Sequence, residues 1–170
     1  MEVREVRHRP TAECYTINLK KSNSTWETVP SMNHPRGKFT IEVIKSKAYA
    51  IGGESDLGLD FTGPTVEVFT PGGEWEISTE MQMPSYRHLH CSTTLGNRIV
   101  VIGGAYGGTD YSPSVIQYDM DHPAKGWTHL NQHPLRSAAP RLPAGVLPGS
   151  EGNLRRRRIQ QRTHSCGVLR

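Results

Sequence analysis

Residues 47–53 of the chain read Lys-Ala-Tyr-Ala-Ile-Gly-Gly, and residues 98–104, which lie 51 positions later, read Arg-Ile-Val-Val-Ile-Gly-Gly. In both copies an apolar run ends in a pair of glycines. Glycine at the end of a strand lets another backbone approach closely or lets the chain bend sharply. Two such pairs at a fixed spacing favour a role in packing repeated sheets over two unrelated turns.

Tryptophan marks the same period. The chain has three, Trp26, Trp75 and Trp127, which lie 49 and 52 residues apart. An apolar run precedes each of them, and in the two later copies this run contains the aromatic residue Phe69 or Tyr118. A period near 50 residues indicates a structural repeat. We expect each tryptophan to fill the space between neighbouring sheets.

Each complete repeat predicts four short strands. The gaps at 45–46 and 96–97 have hairpin length, and the gap at 71–74 contains two glycines that suit a tight turn. No segment shows the 3.6-residue apolar period of a helix. The predicted strands are 39–44, 47–51, 66–70 and 75–78 in one repeat, and 90–95, 98–102, 114–118 and 127–130 in the next. The sequence therefore predicts an all-β chain.

The order of these features resembles the kelch repeat: Gly-Gly closes the second strand, an aromatic residue stands on the third, and Trp opens the fourth. That family builds β-propellers, with one four-stranded blade per repeat of about 50 residues. The resemblance predicts a partial kelch-type propeller of about two and a half blades, similar to the propeller of galactose oxidase. The matching positions are Gly52, Gly53, Phe69 and Trp75, then Gly103, Gly104, Tyr118 and Trp127, and Trp26 from an incomplete earlier copy.

The repeat also predicts how the chain is divided. We expect a flexible N-terminus at 1–10 and a partial propeller at 11–134. The propeller comprises a half blade at 11–30 and blades at 36–79 and 87–131. Residues 135–162 are expected to form a disordered basic insert or tail, and 163–170 resemble the first strand of a further blade. Because propellers have about 4–8 blades, we interpret the chain as a fragment of a longer protein.

Charge is distributed unevenly along the chain. Residues 1–134 hold 12 Lys and Arg against 15 Asp and Glu, whereas residues 135–170 hold 8 against 1. The four arginines at 155–158 could mark nuclear import or a nucleic-acid patch. They lie in the stretch that breaks the repeat, so a solvated tail is the preferred interpretation and nucleic acid is not expected as a partner.

Other features limit the location and the cysteine chemistry. No run of about 18 apolar residues occurs, so we expect no membrane span. The first residues lack the apolar core of a secretory signal, which favours a cytoplasmic location. Because the chain is interpreted as a fragment, the location itself is left open. Cys14, Cys91 and Cys166 are too far apart in sequence for a disulfide framework or a close-spaced zinc motif.

The sequence assigns no catalytic residue and no cofactor. His88 and His90 lie two apart on a predicted strand, where they would share one face and could chelate a metal. Cys91 would point to the other face, and no third ligand is identified, so no metal site is assigned. The glycines after Ala105 lack the Gly-Lys-Ser/Thr ending of a phosphate loop.

Candidate binding residues lie in the long connections between second and third strands, at 54–64 and 105–113. Loops on a rigid scaffold usually contain the recognition residues, and aromatic residues are typical hot spots. Two arginines on the links between blades could bind acidic peptides. The candidates are Asp56, Asp60, Phe61, Tyr106 and Tyr111 on the loops, and Arg36 and Arg87 on the links.

The resemblance implies a protein–protein interaction module that contacts other proteins through its loops. It could be the substrate-recognition part of a larger adaptor, such as a ubiquitin-ligase receptor. Kelch propellers serve many purposes, so two alternatives stay open. One is a fragment of a carbohydrate-active propeller enzyme resembling galactose oxidase. The other is a truncated, non-functional gene product.

Overall fold

The computed structural model describes residues 9–55, 63–107 and 110–130, and this part of the chain is all-β apart from a 3-10 turn at Pro123–Lys125. The expected basic tail at 135–162, the candidate strand at 163–170 and most of the N-terminus at 1–10 lie outside the described residues. The strands are β1 Cys14–Thr16, β2 Glu27–Val29, β3 Thr40–Ile44, β4 Lys47–Ile51, β5 Val66–Phe69, β6 Trp75–Ser78, β7 Cys91–Leu95, β8 Arg98–Ile102, β9 Ala105–Gly107, β10 Asp110–Tyr111, β11 Val115–Asp119 and β12 Trp127–His129.

The strands form two antiparallel four-stranded sheets in which each strand pairs with the next one of its sheet along the chain. The first blade has the order β3-β4-β5-β6, and the second blade has the order β7-β8-β11-β12. Strands β1 and β2 pair as a separate ribbon, the half blade, and β9 pairs with β10. The predicted fold class, a partial kelch-type propeller, is confirmed by this architecture.

Several strand ends lie one residue from the positions expected from sequence, namely those of β3, β5, β7, β11 and β12, and one additional ribbon forms. β7 begins at Cys91 rather than at 90, because Leu89 has a left-handed φ of 55° that interrupts the extended backbone. The ribbon β9–β10 was not expected. It forms inside the connection between β8 and β11, where its two strands pair with a register shift between Asp110 and Tyr111.

The sheets pack face to face around a buried core. Between the first and second blades, Ile51 and Val66 pack with Ile99, Val101 and other fully buried residues of the facing sheet. Met32 and Trp75 belong to a second cluster, against which Cys14 of the half blade packs. Successive sheets therefore bury their apolar faces against one another, as the blades of a propeller do.

The Gly-Gly pairs lie where the links that lead into the blades cross the ends of strands. Gly52 has a φ of +59°, and a Cβ atom there would lie 2.5 Å from the carbonyl oxygen of Arg87. Gly104 has a φ of +100°, and its Cβ would lie 2.8 Å from the Cβ of His90. Both the backbone conformation and the close approach thus require glycine.

The three tryptophans differ in their surroundings. Trp75 stacks on Phe69 with ring centroids 5.2 Å apart, and Trp127 stacks on Tyr118 at 5.5 Å. Trp26, by contrast, is 66% exposed. The expectation that it fills a space between sheets is wrong for the described residues, because none of their sheets precedes the half blade.

Candidate functional site

The candidate site is one edge of the two blades, which we call the loop face. It comprises the link residues 36–38 and 87–89 together with the loop residues 53–55, 104–107 and 110–112. Backbone hydrogen bonds fasten each link to a loop. The amide of Gly37 donates to the carbonyl of Glu54 at 2.7 Å and that of Glu54 returns the bond at 2.8 Å, while His88 and Ala105 exchange the same pair of bonds in the second blade. The base of each loop is therefore fixed by main-chain atoms.

The ribbon β9–β10 presents an aromatic side chain on this face. Tyr106 is 40% exposed, and its phenol hydroxyl donates to Ser112 Oγ at 2.7 Å. Asp110 beside it is exposed, and Tyr111 is half-buried. Burial tends to raise the pKa of Tyr106, but its hydrogen bond with Ser112 and the charge of Arg87 outweigh burial and leave that pKa below its usual value.

The matching loop of the first blade is described only at its base. Asp56, Asp60 and Phe61 lie outside the described residues and stay predictions. Within the described part, the Glu54 carboxylate pairs with Lys38 Nζ and lies 3.7 Å from His88 Nε2. Charged groups therefore flank this end of the face.

Arg36 is enclosed rather than exposed. Its Nε and Nη2 donate to Glu67 Oε1 at 3.1 and 2.9 Å, and its Nη1 donates to the carbonyl of Gly52 at 2.6 Å. Both side chains of the ion pair have no exposed surface. The expectation that Arg36 binds an acidic partner is therefore wrong, because its hydrogen bonds are used inside the blade.

The carboxylate of Glu67 is held by further donors. The backbone amide and Nδ2 of Asn33 both donate to Oε2, at 2.6 and 2.9 Å. Burial opposes ionisation of Glu67, but the hydrogen bonds from Asn33 and the charge of Arg36 hold its pKa below the usual value. Sequence reasoning missed this network, although an acid inside the apolar run of β5 was a visible signal.

Arg87 is buried in the second blade, with 1% of the residue exposed. Like Arg36, it does not lie on the surface where the sequence analysis expected it. Its Nη1 donates to the carbonyl of Gly103 at 3.0 Å, and its Nη2 donates to Ser114 Oγ at 2.6 Å. Its Cζ atom lies 5.7 Å from the ring centroid of Tyr106. Burial lowers the pKa of this guanidinium, against the raising effect of Tyr106.

Comparisons with known proteins agree with this geometry. The chain is 27% identical to Kelch-like protein 33 of Homo sapiens over 106 residues, which cover 61% of this chain and 19% of that protein. It is 29% identical to Kelch-like protein 15 of Mus musculus over 116 residues, which cover 65% of this chain and 19% of that protein. The solved structure of YjhT, a kelch-type propeller, matches with a TM-score of 0.60 at 15% identity. The repeats are of the kelch type.

The extent of these matches is partial. The YjhT match covers 70% of this chain and 45% of that one, and at its low identity it shows the fold alone. No protein-family model matches the chain. The chain spans about a fifth of the length of the curated kelch-like relatives it matches. These relatives support a kelch-repeat protein-interaction module in general terms.

The two histidines of the second kelch blade are separated by the left-handed residue Leu89 and do not share a strand face. His90 Nε2 lies 2.9 Å from Thr40 Oγ1 across the interface between the blades. Burial, helped by the charges of Arg87 and His88, lowers the pKa of His90 to about 3. Within the described part of the chain, no group of three or more His, Cys, Asp or Glu side chains could hold a metal ion.

None of the helical residues in the described part of the chain forms a segment long and apolar enough to span a membrane.

Proposed function

We propose that this chain is a protein–protein interaction module whose loop face holds the partner. The proposal depends chiefly on one observation, the half-exposed aromatic ring of Tyr106 on a ribbon whose base is hydrogen-bonded to the link. Tyrosine has a large contact area and only two side-chain torsions, which makes it a frequent hot spot of interfaces. A fixed loop also loses little conformational entropy on binding.

The polar groups around Tyr106 are suited to the rim of such an interface. Lys38 and Glu54 lie on the first-blade side, and Asp110 lies next to the aromatic ring. Exposed charges at a rim contribute mainly to the association rate and to specificity. We propose that the module acts as the recognition part of a larger, non-enzymatic adaptor, and we assign no catalytic residue to it.

Affinity enrichment with matched variants tests the proposal. Tyr106→Ala should lose the specific partners of the 170-residue chain, with recovery reduced at least about tenfold by quantitative mass spectrometry. Leu95→Ala is the control, because Leu95 is 65% exposed but ends β7, next to the β7–β8 turn at the opposite edge of the blade. It should keep those partners. Equal losses in both variants, or full recovery with Tyr106→Ala, would contradict the proposal.

A further inference from the structure

Arg36 and Arg87 hold the same position in the two blades, 51 residues apart. In each blade Nη1 donates to the carbonyl of the glycine that follows the second strand, at 2.6 and 3.0 Å. In each blade Nη2 donates to the hydroxyl of the residue before the third strand, Thr65 Oγ1 at 2.8 Å or Ser114 Oγ at 2.6 Å. The two guanidinium groups are therefore placed by equivalent contacts.

The blades differ in whether a carboxylate pairs with the buried arginine. Glu67 pairs with Ala50 across the first sheet, and Ile116 pairs with Val101 at the equivalent register position of the second. An isoleucine thus stands where the first blade has the carboxylate. Arg87 Nε is buried and has no hydrogen-bond partner in the described part of the chain. A buried cation without a counter-charge is costly.

Hydroxyl groups surround this guanidinium instead. Tyr106 lies over it, the Tyr106 hydroxyl contacts Ser112 Oγ at 2.7 Å, and Ser112 Oγ lies 2.8 Å from Ser114 Oγ. These side chains are neutral, and hydroxyl groups can rotate to donate to an anion. A guanidinium edge beside such donors is the usual environment of a bound carboxylate.

We propose that Arg87, Tyr106, Ser112 and Ser114 form a carboxylate-binding site for an aspartate or glutamate side chain of the partner. The inference rests on the proposed function for the identity of the ligand, but the site itself can be tested without any partner. The carboxylate takes the place at Arg87 Nε that Glu67 Oε1 takes at Arg36. Tyr106 is the partly exposed member of the cluster, so the anion enters from the loop face as this ring moves aside.

The test is a titration of the ¹⁵N-labelled 170-residue chain with sodium acetate, at constant pH and ionic strength, against sodium chloride. The arginine Nε–H signals are followed by NMR, and the two relevant signals are assigned from Arg36→Lys and Arg87→Lys variants. The Arg87 signal should shift saturably with acetate and not with chloride. The Arg36 signal should stay unchanged, because Glu67 already occupies its Nε.

Ile116→Glu supplies the missing carboxylate from within the chain and should weaken acetate binding at least about tenfold. Absence of a saturable acetate shift at Arg87 in the wild-type chain would overturn the inference, as would an unchanged acetate affinity in Ile116→Glu. Acetate binding combined with full partner recovery by Tyr106→Ala would contradict the proposed function and leave the site standing. Loss of the partners in Tyr106→Ala without a saturable acetate shift at Arg87 would overturn the carboxylate site and leave the proposed function standing.

Discussion

Glu67 and Glu42 are two acids of the first blade whose pKa values shift in opposite directions. Glu67 has its pKa lowered by Asn33 and Arg36 against the effect of burial. Glu42 lies between the blades, where burial raises its pKa and the hydrogen bond from Ser92 Oγ, at 2.5 Å, only partly compensates. The difference follows from the neighbours, since only Glu67 has a cationic partner.

Neutral variants of these acids should therefore respond oppositely to pH. Glu67→Gln leaves Arg36 without a counter-charge and should lower the free energy of unfolding by about 3–5 kcal/mol at pH 7. The native pKa of Glu67 lies below the unfolded value of about 4.3. The loss should therefore shrink as pH falls through that lowered pKa.

Glu42→Gln is the matched comparison and should stabilise the chain at pH 7, because it removes a charge that burial disfavours. The native pKa of Glu42 lies above the unfolded value, so this gain should vanish as pH falls below about 4. Urea unfolding at pH 7 and at pH 3.5 measures both effects. A lower free energy of unfolding for Glu42→Gln than for the wild-type chain at pH 7 would contradict the prediction that burial disfavours the charge of Glu42.

At the scale of the strand and its turn, glycine has two separate roles. Gly52 and Gly96 share nearly the same backbone conformation, with φ of +59° and +60°. Only Gly52 is crowded, since a Cβ there meets the carbonyl oxygen of Arg87, whereas nothing lies within 4 Å of a Cβ at Gly96. The pair therefore separates backbone strain from close approach.

Alanine at these two glycines should give different losses of stability. Gly96→Ala should cost about 1–2 kcal/mol from the left-handed backbone alone. Gly52→Ala must also displace the link that holds Arg87, and we expect at least about 2 kcal/mol more. Chemical denaturation of the two variants makes the comparison. Equal losses would mean that the link moves aside without cost.

How far these elements could be predicted from sequence depends on the range of the interactions. The Gly-Gly pairs, the tight turns and the aromatic positions of the kelch repeat are local signals, and they predicted the two complete sheets within a residue or so at most strand ends. Arg36 and Glu67 are 31 residues apart, and their pairing depends on how β5 packs against the link. The left-handed φ of Leu89 likewise depends on the neighbouring blade, through the bond from its amide to the carbonyl of Lys38.

For the molecule as a whole, the half blade leaves an apolar surface uncovered by the described residues. Tyr15 of β1 and, in the connection to β2, Leu19 and Trp26 are all largely exposed. The equivalent tryptophan of the first blade is 7% exposed, because the half blade and its link pack against it. In the two complete blades, the corresponding apolar surface is covered by the preceding blade or its link. The outer surface of β1 and β2 is therefore an apolar surface of the kind that packs against another sheet.

Acrylamide quenching of tryptophan fluorescence should detect this surface. The wild-type chain should show one readily quenched component, and Trp26→Phe should remove it. Trp127→Phe is the control and should retain it, because Trp127 is stacked on Tyr118 and its Nε1 donates to the carbonyl of Met81. Unchanged quenching in Trp26→Phe would mean that the surface is covered in solution.

The bonds that join each link to its loop are formed by main-chain atoms, Gly37 with Glu54 and His88 with Ala105. Almost any side chain is compatible with such bonds. New recognition segments could therefore be grafted between these anchor points while the sheets keep their register. The segment between the anchor points can then be changed for binding while these main-chain bonds still hold the base of the loop.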